Sequence, residues 1–197
     1  TMSRSRYEWD DDTPAERAAK LSRAGAPALG VTMSTSADGE LLARTNHVLK
    51  SYWAQPEATA AALADDWFHT GDGGVIDEAG YATITDRKKD VIISGGENVS
   101  SIEVEDTLFS HPAVAEVAVI GVPDEKWGET IKALVVLADG ASTDERALID
   151  HCREILAHFK CPTSVEFRDE LFRTATGKLQ KFKLRAPYWD GMEKQIN

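Results

Sequence analysis

The feature of this sequence most able to do chemistry is a lysine on a glycine-bearing loop, Thr174-Ala175-Thr176-Gly177-Lys178. The stretch fails the phosphate-loop pattern, because Phe172 stands where that pattern needs glycine and Leu179 where it needs Ser or Thr. What remains is a mobile cation that can reach charge developing in a transition state, or simply an exposed lysine. Thr70-Gly71-Asp72 puts a carboxylate at an expected bend before a strand pair. There it can accept two hydrogen bonds from a ribose diol; a plain Asp-Gly turn is the alternative. Asp86-Arg87-Lys88-Lys89-Asp90 packs opposed charges between two expected strands, and the Arg87 fork suits ribose or phosphate as well as it suits solvent. Ser94-Gly95-Gly96 is a loop where backbone can approach a ligand closely.

Other constellations do not reach a site. His151, Cys152, His158 and Cys161 match no zinc spacing, and Cys152 falls on the apolar face of its helix, so no metal site is expected. His47, His69 and His111 have no partner at a meaningful spacing, and no Ser-His-Asp or Cys-His set can be picked out.

The formal charge of −11, from 33 acidic and 22 basic residues, disfavours nucleic acid and anionic membranes as partners. The basic residues nonetheless cluster. Arg173, Lys178, Lys181, Lys183 and Arg185 occur with no acid between Phe172 and Arg185, and Arg87, Lys88 and Lys89 are consecutive. Such islands suit a small anionic ligand or a solvated helix face. Two cysteines make no disulfide framework, which points to a cytoplasmic setting. No run is apolar enough for a transmembrane segment. The chain opens on Thr1-Met2, consistent with a tag remnant or a start inside a longer gene.

The elements that must position these residues follow from caps and periodicity. Thr13-Pro14-Ala15-Glu16 starts a helix with a capping box, and Gly25 is a plausible stop. Residues 39–44 read as a strand, and the alanine-rich stretch 56–65 as a helix. Val75-Ile76 and residues 81–84 alternate around an Asp77-Glu78-Ala79-Gly80 turn, which predicts a hairpin. Val91-Ile92-Ile93 is a further strand. Ser100 and Glu103 predict a second capping box, for a helix ending near His111-Pro112. Valine- and isoleucine-rich stretches at 114–122 and 131–137 are strands. Residues 143–158 form a helix with Leu148, Cys152, Ile155 and Leu156 on one face. A short strand at 163–168 and a final helix at 181–188 complete the reading. The class is α+β: a strand-rich, incomplete part at 1–88, with too thin a core to be stable alone, and a small α+β domain at 89–197.

Taken in order, three stretches resemble the later core motifs of adenylate-forming (AMP-binding) enzymes: residues 67–72 (Trp-Phe-His-Thr-Gly-Asp), 86–99 (Asp-Arg-Lys-Lys-Asp-Val-Ile-Ile-Ser-Gly-Gly-Glu-Asn-Val) and Thr176-Gly177-Lys178. That superfamily contains acyl-CoA synthetases, peptide-synthetase adenylation domains and luciferases. The resemblance implies the end of a large AMP-binding domain followed by a small mobile C-terminal domain. It also implies two half-reactions: a carboxylate attacks the α-phosphate of ATP, and CoA then attacks the acyl-adenylate after the small domain rotates. By the same resemblance, Asp72 holds the ribose hydroxyls with Arg87 in support, Lys89 is the hinge and Lys178 is the catalytic lysine of adenylation. Ser94, Gly95, Gly96 and Glu97 line the pantetheine tunnel, and Lys160 reaches the CoA phosphates. ATP or AMP, CoA and Mg2+ are the implied cofactors. The family's glycine-rich phosphate loop and its Tyr-Gly-x-Thr-Glu-like motif are not in this sequence. The Mg2+ ligand, phosphate contacts and acyl pocket are therefore expected in a missing N-terminal domain of the same enzyme.

Ile93 stands where luciferases carry lysine, and residues 93–101 with 158–162 look most like bacterial acyl-CoA synthetases of short, medium or fatty acids. The expected function is thus an acyl-CoA ligase acting on a small-molecule carboxylic acid. A carrier-loading adenylation domain and an isolated lobe serving as a binding or regulatory module are the alternatives. The acyl group cannot be named from these residues.

Overall fold

The stretch from Val114 to Leu137 is rich in β-branched residues at both even and odd positions, so its strands need cover on both faces. The computed structural model, which describes residues 1–3 and 5–191, supplies that cover. The chain divides into two compact units, residues 1–88 and the part that begins at Lys89.

In the second unit, β7 (Val114–Asp124) and β8 (Gly128–Leu137) form an antiparallel hairpin in register from Val114↔Leu137 to Asp124↔Gly128, with one irregularity between Val114 and Glu116. Along the other edge of β8 lie two more strands. β5 (Ile92–Ser94) meets it at Gly128, and β9 (Ser164–Phe167) pairs in parallel with Lys132–Val135. β6 (Glu97–Val99) closes a hairpin onto β5.

The two faces carry different helices. Val117, Val119, Ile131, Ala133 and Val135 point to one side, against Val104 and Leu108 of α3 (Ser101–Phe109) and Leu148 and Cys152 of α4 (Glu145–Ile155). Ala118, Ile120, Val122 and Leu134 point to the other, where Leu171 and Leu184 of α5 (Lys181–Arg185) cover them. The caps follow local sequence: Ser100 Oγ accepts from the Glu103 amide, and Asp144 Oδ1 from the Ala147 amide at 2.8 Å. Burial pushes the Cys152 thiol up to about 12, which leaves it an inert core residue. Among the described residues no group of three or more His, Cys, Asp or Glu could hold a metal ion.

The first unit is a four-stranded antiparallel sheet in the order β1 (Thr32–Thr35), β2 (Glu40–Arg44), β3 (Phe68–Ile76), β4 (Ala82–Arg87). Helix α1 (Pro14–Leu21) has the expected capping box, with Thr13 and Glu16 bonded reciprocally. Helix α2 (Pro56–Ala62) is followed by one 3-10 turn, Ala64–Asp66. The buried apolar residues described in this unit are Trp9, Leu41, Leu42, Tyr81 and Ala82, a much thinner set than the two clusters of the second unit.

Three expectations change, and two strands, β1 and β6, add to those read from the sequence. Thr70-Gly71-Asp72 lies inside β3 rather than at a bend before it, because β3 starts at Phe68 and absorbs an irregularity between Gly73 and Gly74. Gly25 does not stop α1, which ends at Leu21. It has φ +102 where the Met2 backbone passes, and an added Cβ would sit 2.5 Å from Met2 C. Strands β1 and β6 carry no alternation that a sequence reading could use. Ile155, the last residue of α4, is 58% exposed, and Leu156 just beyond the helix packs against the core instead.

This contrast is measurable. Leu148→Ala should cost about 2–5 kcal/mol in urea denaturation of the purified chain, whereas Ile155→Ala should cost less than about 1 kcal/mol. Equal losses would show that Ile155 belongs to the core after all.

Candidate functional site

In the first unit, Asp72 on β3 and Arg87 on β4 are cross-strand partners, with Arg87 Nε 3.5 Å from Asp72 Oδ1. Both side chains are partly open to solvent, so the carboxylate keeps free acceptor capacity beside a fork of donors. The backbone here is held tightly. Thr70 Oγ1 donates to Leu41 O at 2.6 Å and accepts from the Asp72 amide at 3.1 Å, and the Lys88 amide donates to Gly71 O at 2.9 Å. Lys88 Nζ lies 2.7 Å from Asp38 Oδ2 and 3.3 Å from Glu40 Oε2. The bond from Lys88, helped by one from Ser36, holds the Asp38 carboxyl down to about 2.

The second unit carries the remaining expected residues. Lys89 is exposed, and its carbonyl accepts from Arg185 Nη1 at 3.1 Å. Ser94 and Glu97 face each other across the β5–β6 hairpin, joined by Gly95 (φ +60) and Gly96 (φ +87). Two central residues with positive φ are what a two-residue hairpin loop demands. Gly95 has a second constraint that the sequence hid: a Cβ there would meet Trp127 Cε3 at 2.8 Å, and its amide donates to Trp127 O at 3.0 Å. The close approach at Gly95 is thus to an aromatic ring of the same unit, whereas Gly96 faces open space.

Lys160 Nζ donates to both Glu103 oxygens, at 2.8 and 2.7 Å. Lys181 Nζ lies 2.7 Å from Glu105 Oε1 and donates to Ser101 Oγ at 2.6 Å. Arg173 Nη2 pairs with Glu116 at 2.6 Å, and its Nη1 donates to Gly177 O at 2.8 Å. Within the basic island at 173–185, Arg173 and Lys181 are therefore answered by acids of β7 and α3, far away in sequence, and Arg185 lies 3.7 Å from Asp90.

Lys178 differs. Its loop is a closed turn: the Thr174 amide donates to Lys178 O at 2.8 Å, the Gly177 amide to Thr174 O at 2.9 Å, and the Lys178 amide to Thr174 Oγ1 at 3.1 Å. Gly177 has φ +84, which favours glycine at that corner. The Lys178 side chain is exposed, and its ammonium has no hydrogen-bond or ion-pair partner among the described residues. A fixed backbone thus presents a free, flexible cation.

Residues 103–178 match the model of the AMP-binding enzyme C-terminal domain. The 4-hydroxybutyrate–CoA ligase 2 of Metallosphaera sedula is 45% identical over 193 residues, covering 91% of this chain and 35% of the relative. A long-chain-fatty-acid–CoA ligase of Mycobacterium tuberculosis is 48% identical over 151 residues, covering 77% of this chain and 30% of the relative. The crystal structure of ATP-bound MatB from Rhodopseudomonas palustris superposes with a TM-score of 0.80 at 37% identity, over 88% of this chain and 37% of that one. The chain belongs to the adenylate-forming, AMP-binding enzyme family. It spans about a third of the length of the curated relatives it matches. The two ligases are named for a short hydroxy acid and for long-chain fatty acids, so the likeness identifies the family and leaves the acyl group open.

The Asp38–Lys88 pair predicts a pH dependence. Asp38 has its folded pKa depressed from 3.8 to about 2, so the stability it contributes is complete above pH 3.8 and is lost as pH falls through 2. Carboxyl-carbon NMR titration should find Asp38 ionised at pH 3, and Lys88→Met should return its midpoint toward 3.8. An Asp38 midpoint near 3.8 in the parent chain would show that the pair does not persist in solution.

Proposed function

We propose that this chain is part of an ATP-dependent acyl-CoA ligase, an acid–thiol ligase that activates a carboxylic acid, in the fatty-acid range, as acyl-AMP and passes the acyl group to CoA. The observation that supports this reading is the Lys178 ammonium on its closed turn, without a partner among the described residues, beside Arg173 and Lys181, which carboxylates occupy. During attack of a carboxylate on the α-phosphorus of ATP, negative charge spreads over the phosphoryl oxygens as pyrophosphate leaves. A cation on a long flexible stem, free of any competing carboxylate, can follow that charge.

Asp72, with Arg87 beside it, offers the acceptor that a ribose diol requires. Ser94, Gly95, Gly96 and Glu97 form the exposed hairpin tip assigned to the pantetheine arm. Lys160 would have to exchange Glu103 for a CoA phosphate, so it contributes less to CoA affinity than a free lysine would. Mg2+ would neutralise phosphate charge, and its ligand is assigned to the N-terminal domain that the resemblance implies, with the phosphate loop and acyl pocket. Residues 1–88 would then be the distal part of that large domain, and 89–197 the small mobile one.

Two expected outcomes test these roles in the complete enzyme. Lys178→Ala should slow ATP–pyrophosphate exchange by roughly 10²–10³-fold while sparing thioester formation from supplied acyl-adenylate; equal loss in both halves would refute the adenylation role. Lys89→Pro fixes φ at the assigned hinge. It should leave exchange intact and abolish CoA-dependent turnover, and unchanged turnover would mean that the rotation does not pass through Lys89.

A further inference from the structure

Glu40 is a carboxylate at the start of β2, directly before Leu41 and Leu42, and it is only 5% exposed. A buried carboxylate without partners is costly. Glu40 has three: the Gly71 amide donates to Oε1 at 2.8 Å, His69 Nδ1 lies 3.1 Å from Oε2, and Lys88 Nζ lies 3.3 Å from Oε2. Burial pushes the carboxyl up, but the Gly71, His69 and Lys88 bonds outweigh it and hold the group below its ordinary value.

The positions of the three donors give the pattern a function. His69 and Gly71 lie within three residues before Asp72, and Lys88 directly follows Arg87. Asp72 and Arg87 are themselves cross-strand partners. Each member of that pair is therefore chained to a neighbour that Glu40 holds. Gly71 has φ +74, so the backbone leaves the extended course one residue before Asp72, where its amide needs an acceptor outside the regular ladder. Glu40 supplies that acceptor, and the Gly71 carbonyl in turn takes the Lys88 amide at 2.9 Å.

We infer that Glu40 is a positioning residue for nucleotide binding: its buried carboxylate sets the backbone course that presents Asp72 and Arg87 together to the ribose. The inference rests on the reading of Asp72 as the ribose acceptor. Glu40 has no role at the sugar itself; it acts through the segments on either side of the Asp72–Arg87 pair.

The test is ATP–pyrophosphate exchange by the complete enzyme with ATP and with 2′,3′-dideoxy-ATP, comparing the parent with Glu40→Gln, Asp72→Ala and the double variant. Glu40→Gln keeps the shape and an acceptor for Gly71 but removes the charge that gathers His69 and Lys88. It should raise the KM for ATP roughly tenfold or more, leave the KM for the dideoxy nucleotide unchanged, and add nothing on top of Asp72→Ala. If Glu40→Gln does not fold, Lys88→Met, which removes one donor, should give a smaller rise confined to ATP. Equal losses with both nucleotides would make Glu40 a merely structural residue. A normal ATP KM in Glu40→Gln beside an impaired Asp72→Ala would overturn the inference and leave Asp72 in place. A parent enzyme indifferent to the ribose hydroxyls would remove the Asp72 reading, and the inference with it.

Discussion

The pairing of β7 with β8 is the interaction on which the second unit depends. One hairpin supplies apolar residues to both faces, and each face binds a different helical partner. Residues 117, 119, 131, 133 and 135 bury α3 and α4, while the residues between them bury α5. A one-residue slip would exchange the two sets and strand both. The Lys178 turn inherits its stability from the same hairpin, since Arg173 ties that turn to Glu116 on β7.

Electrostatics then divides the cations into occupied and free. On a chain of net charge −11, acids are abundant enough for folding to give Lys160, Lys181, Arg173 and Lys88 carboxylate partners. These pairs are partly exposed, and each adds little stability alone. Their larger effect is exclusion, because a committed ammonium competes poorly for an incoming anion. Lys178 has no carboxylate partner among the described residues and sits on a closed turn, which sets it apart from Arg173, Lys181 and Arg185 in a region where sequence alone shows five similar basic residues.

Much of the framework was legible because its causes are local. Thr13 and Ser100 cap helices with their own side chains, Asp77 to Gly80 turns the β3–β4 hairpin, and the valine-rich strands reveal themselves by composition. The misreadings share another origin. The true start of β3, the exposure of Ile155 and the role of Gly25 depend on partners 23 to 57 residues away or on where a helix happens to end. The basic island looked like an anion site because Glu105 and Glu116 are remote in sequence. Glu40 gave no signal beyond a charge at a strand start, and its three partners lie 29 to 48 residues onward.

The contact between Gly95 and Trp127 makes two distant positions into one unit of inheritance. A side chain at position 95 requires the Trp127 ring to move, because that ring edge occupies the space a Cβ would need. An asparagine at 95, which accepts positive φ better than most residues, would therefore be accommodated only with that ring displaced. What position 95 can carry therefore depends on where the side chain at position 127 lies, although the two are far apart in the sequence.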